Sequence, residues 1–201
     1  MEASRCQPPA TRLSTPPAAC WRLRGYHATG LNQIVAESGA SKGSLYHYFP
    51  GGKEEMAAEA IDRTGRQLEE RIRANLPPDV GLADALRDFA HTIAYHVEAS
   101  GFRAGGPLTA IAMETATNSE RLNLACRDAF ERVVTAFAHR LAESGATAER
   151  ARGMSLFVTA AFEGGIILSR TYHSGDPLRQ VGDELFAYLN SNMNTLSRAP
   201  E

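Results

Sequence analysis

The sequence predicts an all-α protein, and two observations carry that prediction. After about residue 18, apolar residues recur at spacings of three and four, the period of a helix with one buried face. Alternating apolar and polar residues, which are typical of β-strands, are absent there, and Gly or Pro separates the helical stretches. At 201 residues, the chain is long enough for one domain or for a small domain joined to a larger one.

The N-terminal segment is predicted to be a tail followed by a short helix. We expect residues 1–15 to be poorly ordered. Thr15 is a suitable N-cap, and Pro16 and Pro17 are tolerated in a first helical turn. The first helix would then end near Arg24, directly before a glycine.

The next two helices are predicted to form a helix-turn-helix. The first covers Leu31 to Ser38 and is followed by Gly39, a residue that favours the left-handed conformation of a helix end. Ser41 is a good N-cap for the second helix. In that helix, Leu45 and Phe49 form an apolar pair four residues apart that would face inward.

The remaining helices are longer. Pro50-Gly51-Gly52 ends the helix-turn-helix, and a long helix is predicted from Lys53 to Ala74. Gly, Asn and Pro residues then separate further helices predicted at 81–99, 106–116, 119–143, 147–173 and 177–192. We therefore expect a small helix-turn-helix domain at 16–52 and a larger helical domain at 53–198.

Composition places the protein among ordinary soluble chains. Charged residues make up 22% and hydrophobic residues 43% of the chain, with a net charge of -2, so a basic surface for nucleic acid would have to be local. The only lysines are Lys42, in the first turn of the second helix of the helix-turn-helix, and Lys53, shortly after that helix. Arginine-biased codon usage explains the other basic residues but not the position of these two.

The cysteines and the hydrophobic runs of the sequence indicate in which compartment the protein is expected. The three cysteines, Cys6, Cys20 and Cys126, are too few and too scattered for a disulfide framework, which indicates a reducing, cytoplasmic setting. We find no apolar leader and no run that we judge long enough to span a bilayer, so no membrane contact is expected.

The helix beginning after Ser41 has the residues of a DNA-reading helix. Gly43 would let its first turn approach a duplex closely. Lys42, Ser44, Tyr46 and His47 would point outward, where ammonium, hydroxyl and imidazole groups contact phosphates or base edges. A helical hairpin with a polar exposed face has the same spacing, so the spacing alone leaves both interpretations open.

The segment "GYHATGLNQIVAESGASKGSLYHYFPGGKEEM", residues 25–56, resembles the DNA-binding domain of the TetR family of bacterial transcriptional repressors. The resemblance implies phosphate contacts from Thr29, Tyr46 and Lys53. It implies that the base-reading helix carries Lys42, Gly43, Ser44 and His47. "ATGLNQI" and the extra residue in "FPGGKEE" are most similar to the subgroup around the LmrA and YxaF repressors, which release DNA on binding planar or drug-like molecules.

Three departures from the family pattern are present. Gly30 stands where a second Thr or Ser is common, and Tyr48 where His is common. Members usually begin with a long amphipathic helix, whereas this chain has Pro16 and Pro17 there, and a Pro inside a helix costs roughly 3 kcal/mol. We expect either a helix shortened to residues 16–24 and anchored by Trp21, or a chain whose natural start lies elsewhere.

The resemblance assigns the later helices to dimerisation and effector binding. Apolar stripes on the last two helices predict a two-fold dimer interface, although the same stripes suit an intramolecular core: Phe157, Ala161, Gly165, Leu168, Leu178, Val181, Leu185 and Leu189. Apolar and polar residues of the preceding helices predict the effector site: Phe89, Tyr95, Met113, Glu114, Phe130, Val134 and Phe137.

The resemblance therefore implies a repressor that binds a palindromic DNA operator as a homodimer and is released by a small effector. We expect no cofactor, no metal and no catalytic residue, since G-x-S-x-G, P-loop and His/Cys metal-binding spacings are absent. The alternative is a helical ligand-binding or interaction dimer that has lost DNA binding through its altered first helix.

Overall fold

The computed structural model describes residues 26–115 and 118–196, without the side chains of Pro107 and of residues 193–196. The predicted tail, the short helix at 16–24 and its anchor Trp21 lie outside the described residues. Within those residues every regular element is an α-helix, which confirms the predicted fold class.

The described helices follow the predicted order. They are α1 (Leu31–Ser38), α2 (Lys42–Tyr48), α3 (Gly52–Asn75), α4 (Leu82–Ala99), α5 (Pro107–Thr115), α6 (Glu120–Glu143), α7 (Ala148–Tyr172) and α8 (Asp176–Leu196). The largest difference from the predicted bounds is at the end of α8, which continues to Leu196.

Local chemistry fixes the turn between α1 and α2. Gly39 ends α1 with φ 67°, a left-handed conformation in which the missing Cβ avoids a steric penalty. The Ser41 hydroxyl then accepts the Ser44 N–H at 3.0 Å and caps α2. At the other end the Phe49 N–H donates to the Leu45 carbonyl at 2.8 Å, directly before Pro50. All three features follow the predicted pattern.

The chain divides into two compact units. The first comprises the described residues up to Arg66 together with Pro107–Phe130, and the second comprises Gln67–Gly106 with the described residues from Glu131 onward. Each of the helices α3 and α6 therefore contributes residues to both units. These units are defined by packing, and the predicted functional domains at 16–52 and 53–198 stay a prediction.

Each unit buries its own apolar side chains. In the first, α1 packs against α2, and the fully buried side chains include Ile34, Leu45 and Met56. In the second, α4 packs along α8 and against α7, which together enclose most of a continuous hydrophobic core. Phe162 of α7 lies inside this core between Phe89 and Phe137, with ring centroids 5.7 Å and 5.8 Å away.

Helix α7 corrects the expectation that no run is long enough to span a bilayer. By length and composition alone, Ala148–Tyr172 would suffice to cross a membrane. A core helix of a globular protein passes the same test, and α7 places Met154, Val158, Phe162 and Ile166 in the hydrophobic core. Its apolar character is therefore accounted for in part by packing within the second unit.

The packing of α7 on α8 also corrects part of the predicted dimer interface. Leu178, Leu185 and Leu189 are buried in the core of the second unit and have no surface left for another chain. Gly165 faces the same way, since a Cβ there would lie 2.6 Å from Leu178 Cδ1. Val181 is partly buried and packs against this core. At Gly165 the close neighbour is thus α8 of the same chain.

Candidate nucleic-acid interface

Helix α2 has an exposed polar face and a buried apolar face. Leu45 and Phe49 are buried beneath it, as predicted, and hold the helix against the first unit. Three of the predicted contact residues, Lys42, Tyr46 and His47, are exposed. The Tyr46 side chain is 53% exposed on this face.

Gly43 and Ser44 belong to the first turn of α2. The Gly43 backbone has no positive φ, and a Cβ built on it would meet only the Ser41 hydroxyl, at 3.8 Å. Packing inside the chain therefore does not require glycine here. Ser44 is half-buried, and its N–H is taken by the N-cap. Gly43 is exposed and adds no side chain to this surface.

Thr29 is a correction to the predicted phosphate contacts. Its side chain is wholly buried, and its N–H donates to the Tyr26 carbonyl at 3.3 Å. A side chain without exposed surface does not reach a phosphate in this arrangement. Gly30, the residue after it, caps α1 without a side-chain hydrogen bond, as its lack of a hydroxyl dictates.

Lys53, at the start of α3, is half-buried and held by neighbours. Its ammonium lies 4.1 Å from the centroid of the Tyr26 ring, a cation–π contact. Burial lowers the pKa of Lys53, and the negative charge of Glu114 partly offsets that shift. Burial also raises the pKa of Tyr26, and the charge of Glu54 adds to the effect.

Glu114, predicted to contact the effector, lies instead against the segment that enters the helix-turn-helix. The His27 backbone N–H donates to Glu114 Oε2 at 3.2 Å, and His27 Nε2 lies 3.2 Å from the Glu114 carbonyl oxygen. Close by, the Ser119 hydroxyl donates to the carboxylate of Glu54. Residues near the end of α5 and the start of α6 are thus bonded to the segment that precedes α1 and to the start of α3.

Sequence reasoning missed Tyr26, His27 and Arg121 as members of this surface. The guanidinium of Arg121 lies against the turn after α2, since a Cβ on Gly51 would be 2.8 Å from Arg121 Nη1. This places a cation beside the turn after α2, on the unit that also carries Lys42 and Lys53. No spacing rule connects residues about seventy positions apart, so only the fold reveals the juxtaposition.

The remaining residues predicted to bind the effector are divided between the two units. Phe89, Val134 and Phe137 are buried in the second unit, whereas Phe130 is half-buried in the first. Tyr95 is 65% exposed and Met113 81% exposed, so neither of those two side chains lines an enclosed cavity.

Two cavities in the second unit involve none of these residues. One, of about 410 Å³, lies beside residues 78–84 and the end of α6. The other, of about 280 Å³, lies between the ends of α3 and α6. Arg140 borders both and is itself bonded to the carbonyl oxygens of Pro77 and Val80 at 3.2 Å and 2.6 Å.

We next looked for metal-binding side chains and a reactive thiol within residues 26–115 and 118–196. No group of three His, Cys, Asp or Glu side chains in these ranges is arranged to hold a metal ion. Cys126 is a buried free cysteine, and burial raises the pKa of its thiol. A raised pKa disfavours the reactive thiolate.

Comparison with protein families gives two matches that together cover most of the chain. Residues 18–60 match a family model described as "Bacterial regulatory proteins, tetR family". Residues 83–184 match one described as "Transcriptional regulator LmrA/YxaF-like, C-terminal domain".

Two regulators of Bacillus subtilis (strain 168) are similar over nearly their full length. The uncharacterized HTH-type transcriptional regulator YxaF is 39% identical over 165 residues, which span 82% of this chain and 86% of that protein. The HTH-type transcriptional regulator LmrA is 36% identical over 172 residues, 86% of this chain and 88% of that protein.

Solved structures share the fold at low identity. Reduced NemR of E. coli superposes with a TM-score of 0.76 at 18% identity, covering 88% of this chain and 94% of that one. A TetR transcriptional regulator of Chloroflexus aurantiacus gives a TM-score of 0.75 at 22% identity, covering 94% and 97%.

Proposed function

Because the chain belongs to the TetR family of bacterial transcriptional regulators, with a C-terminal domain of the LmrA/YxaF type, we propose that it is an effector-released repressor. As a homodimer in the cytoplasm, it binds a palindromic operator, and a small planar or drug-like hydrophobic molecule releases it. The observation that carries the proposal is the exposed face of α2, where Lys42, Tyr46 and His47 surround Gly43.

The chemistry of this face suits DNA. Lys42 and the Tyr46 hydroxyl contact phosphates, which fixes register, and His47 reaches base edges, which gives sequence preference. Because Gly43 adds no side chain, the first turn of α2 enters the major groove without a steric obstacle. Lys53 contributes a phosphate contact from the start of α3.

The dimer uses the outer face of α7 and α8. Phe157, Leu168 and Tyr188 are exposed there, and Ala161 is half-exposed on the same side of α7. Gly164 has open space beside it, since no atom lies within 4 Å of a Cβ built on that residue. An apolar face with an open glycine lets a second copy of α7 pack closely. Two-fold symmetry of the dimer then matches a palindromic operator.

Effector release requires a coupling between two sites. A molecule that favours a dimer with mis-spaced α2 helices shifts the population away from DNA. A coupling of about 1–3 kcal/mol, typical of allosteric proteins, corresponds to roughly 5- to 150-fold weaker operator binding. Helix α3 is continuous from Gly52 to Asn75 and therefore connects the DNA-binding segment to the rest of the chain.

The test is operator binding by the purified protein. DNA from upstream of its own gene is titrated across a salt series, and selective binding with a steep salt dependence is expected. Lys42→Ala is expected to lower affinity and to reduce the slope of log K against log salt by about 0.9 for each phosphate that the lysine no longer neutralises. Tyr46→Ala is expected to weaken binding as well, whereas Arg73→Ala, which removes an exposed cation of the second unit, leaves it unchanged.

A dimer without DNA binding is the second candidate, and Pro16 and Pro17 favour it. That function predicts an intact dimer whose weak, non-selective DNA binding does not respond to Lys42→Ala. A catalytic role forms no part of the proposal, since relatives in this family are regulators.

A further inference from the structure

The smaller of the two cavities in the second unit, of about 280 Å³, has both apolar and basic residues in its lining. All of its lining residues belong to the second unit. Ile72, Leu76 and Ala136 supply apolar surface from the ends of α3 and α6. Because benzene fits a cavity of about 150 Å³, this volume admits a single ring that carries a polar group. None of the residues predicted to bind the effector lines it.

Arg140, which borders this cavity, is a buried cation without a hydrogen-bonded carboxylate. The residue is only 7% exposed. Its guanidinium donates to neutral oxygens, the Ser144 hydroxyl at 2.6 Å and the carbonyls of Pro77 and Val80 at 3.2 Å and 2.6 Å. The buried Nε has no hydrogen-bond partner among the residues that the structure describes. Buried arginines are normally paired, so an anionic acceptor is missing at this position.

The other charged groups in the lining favour an anion over a cation. Arg73 and His139 add basic side chains, and Glu143 is the one acidic residue in the described lining. Arg73 is paired with Glu69 at 2.7 Å, and His139 Nδ1 lies 3.4 Å from Glu143 Oε1. Arg140 is therefore the cation of this lining that lacks a carboxylate partner. The larger cavity is less suited to an anion, because two aspartates join Glu143 in its lining.

We propose that the smaller cavity is a binding site for a small organic carboxylate. The anionic group of the ligand pairs with Arg140, and its hydrocarbon part lies against the apolar lining. A carboxylate supplies the negative charge that the guanidinium lacks and an acceptor for its unbonded N–H. The inference goes beyond the proposed function, since a ligand bound within one unit of the chain requires neither DNA nor a dimer.

Benzoate and benzamide are the probes, because both have one ring and only benzoate is charged. An NMR titration of the ¹⁵N-labelled protein at constant ionic strength follows the arginine Nε–H resonances. The resonance of Arg140 is identified by its absence from Arg140→Met. Benzoate is expected to shift this resonance and to bind in the millimolar range. Benzamide is expected to bind at least about tenfold more weakly, since hydrogen bonds to an ionised acceptor are stronger.

Two substitutions change the charge of the lining in opposite directions. Arg140→Met is expected to abolish the preference for benzoate over benzamide. Glu143→Gln removes the acidic group and leaves the bonds of Arg140 in place, so benzoate is expected to bind about two- to fivefold more tightly, the range of an exposed charge pair. Glu149→Gln changes an exposed carboxylate of the same unit outside the lining and is expected to leave the affinity unchanged. Circular dichroism verifies the folding of each variant.

Benzoate that leaves the Arg140 resonance unmoved, or that binds no better than benzamide, overturns the inference. An undiminished preference for benzoate in Arg140→Met also overturns it. Because Arg140 is bonded to the chain at Pro77 and Val80, its removal can unfold the protein. Glu143→Gln then decides, and unchanged benzoate affinity in that variant rejects the site. None of these results bears on the repressor function, which is tested by operator binding.

Discussion

Gly43 shows how a single residue separates stability from recognition. Glycine in a helix is normally unfavourable relative to alanine, because its backbone loses more freedom on folding. Here neither a positive φ nor a close contact requires it, as the only atom near an added Cβ is the Ser41 hydroxyl at 3.8 Å. The folding of the free chain therefore does not explain glycine at this position, whereas close contact of α2 with DNA, as proposed, does.

Gly43→Ala is accordingly expected to move stability and binding in opposite directions. The free energy of unfolding is expected to stay the same or rise by about 0.5 kcal/mol, the helix preference of alanine near a helix end. Operator affinity is expected to fall about tenfold, or roughly 1.4 kcal/mol, because the methyl group separates α2 from the groove. Urea unfolding and an anisotropy titration on one preparation measure both; unchanged affinity in a stable variant would place Gly43 outside the interface.

At the scale of elements, the sequence predicts where each helix begins and ends better than it predicts which other helix each one packs against. Gly39 and Ser41 give the turn between α1 and α2 correctly because capping depends on residues within four positions. Helix α7 is apolar on two sides, and periodicity alone does not say which side packs inward. Likewise, the apolar stripe of α8 predicts Leu178 at a dimer interface, although this side chain is buried in the core of its own unit. The contact of Glu114 with His27 joins residues 87 positions apart and has no local signal.

The connection between α4 and the α7–α8 turn gives an element-scale prediction on pH. Glu98, near the end of α4, accepts hydrogen bonds from Arg179 at 2.5 Å and 3.0 Å and from the Gly175 N–H at 2.9 Å. The Arg179 hydrogen bonds, followed by that from Gly175, lower the pKa of the Glu98 carboxyl in the folded chain. Its stabilising contribution is therefore present above the unfolded pKa of about 4.3 and lost as pH falls through the lower folded value.

Glu98→Gln is expected to flatten this dependence. Between about pH 6 and pH 3.5, the urea midpoint of the variant should decline less steeply than that of the unaltered protein. The reason is that the variant lacks the carboxylate whose protonation breaks the hydrogen bonds with Arg179 and Gly175. Glu184→Gln, an exposed carboxylate of α8, serves as the matched control and should follow the unaltered curve. Identical acid sensitivity in the Glu98 variant would contradict the linkage.

At the scale of the whole molecule, the proposed function depends on two copies acting together. One α2 helix contacts too few base edges to select an operator, whereas two helices joined in a dimer gain from effective concentration once the first is bound. The single chain leaves Phe157 53% exposed and Leu168 44% exposed on α7, which is the face assigned to this contact. Dimer formation and operator selectivity should therefore disappear together.

Leu168→Glu tests that dependence without disturbing the core, since its side chain is already open to solvent in the single chain. Two-fold symmetry places a glutamate from each protomer in the same apolar contact, and unpaired buried charges oppose association. Light scattering after size exclusion is expected to show a monomer, with circular dichroism unchanged and selective operator binding abolished. Leu124→Glu, an equally exposed leucine of α6, should remain dimeric. A Leu168→Glu protein that stays dimeric would move the interface to another face; one that is monomeric yet binds the palindrome as tightly as before would show that α2 selects DNA without a partner.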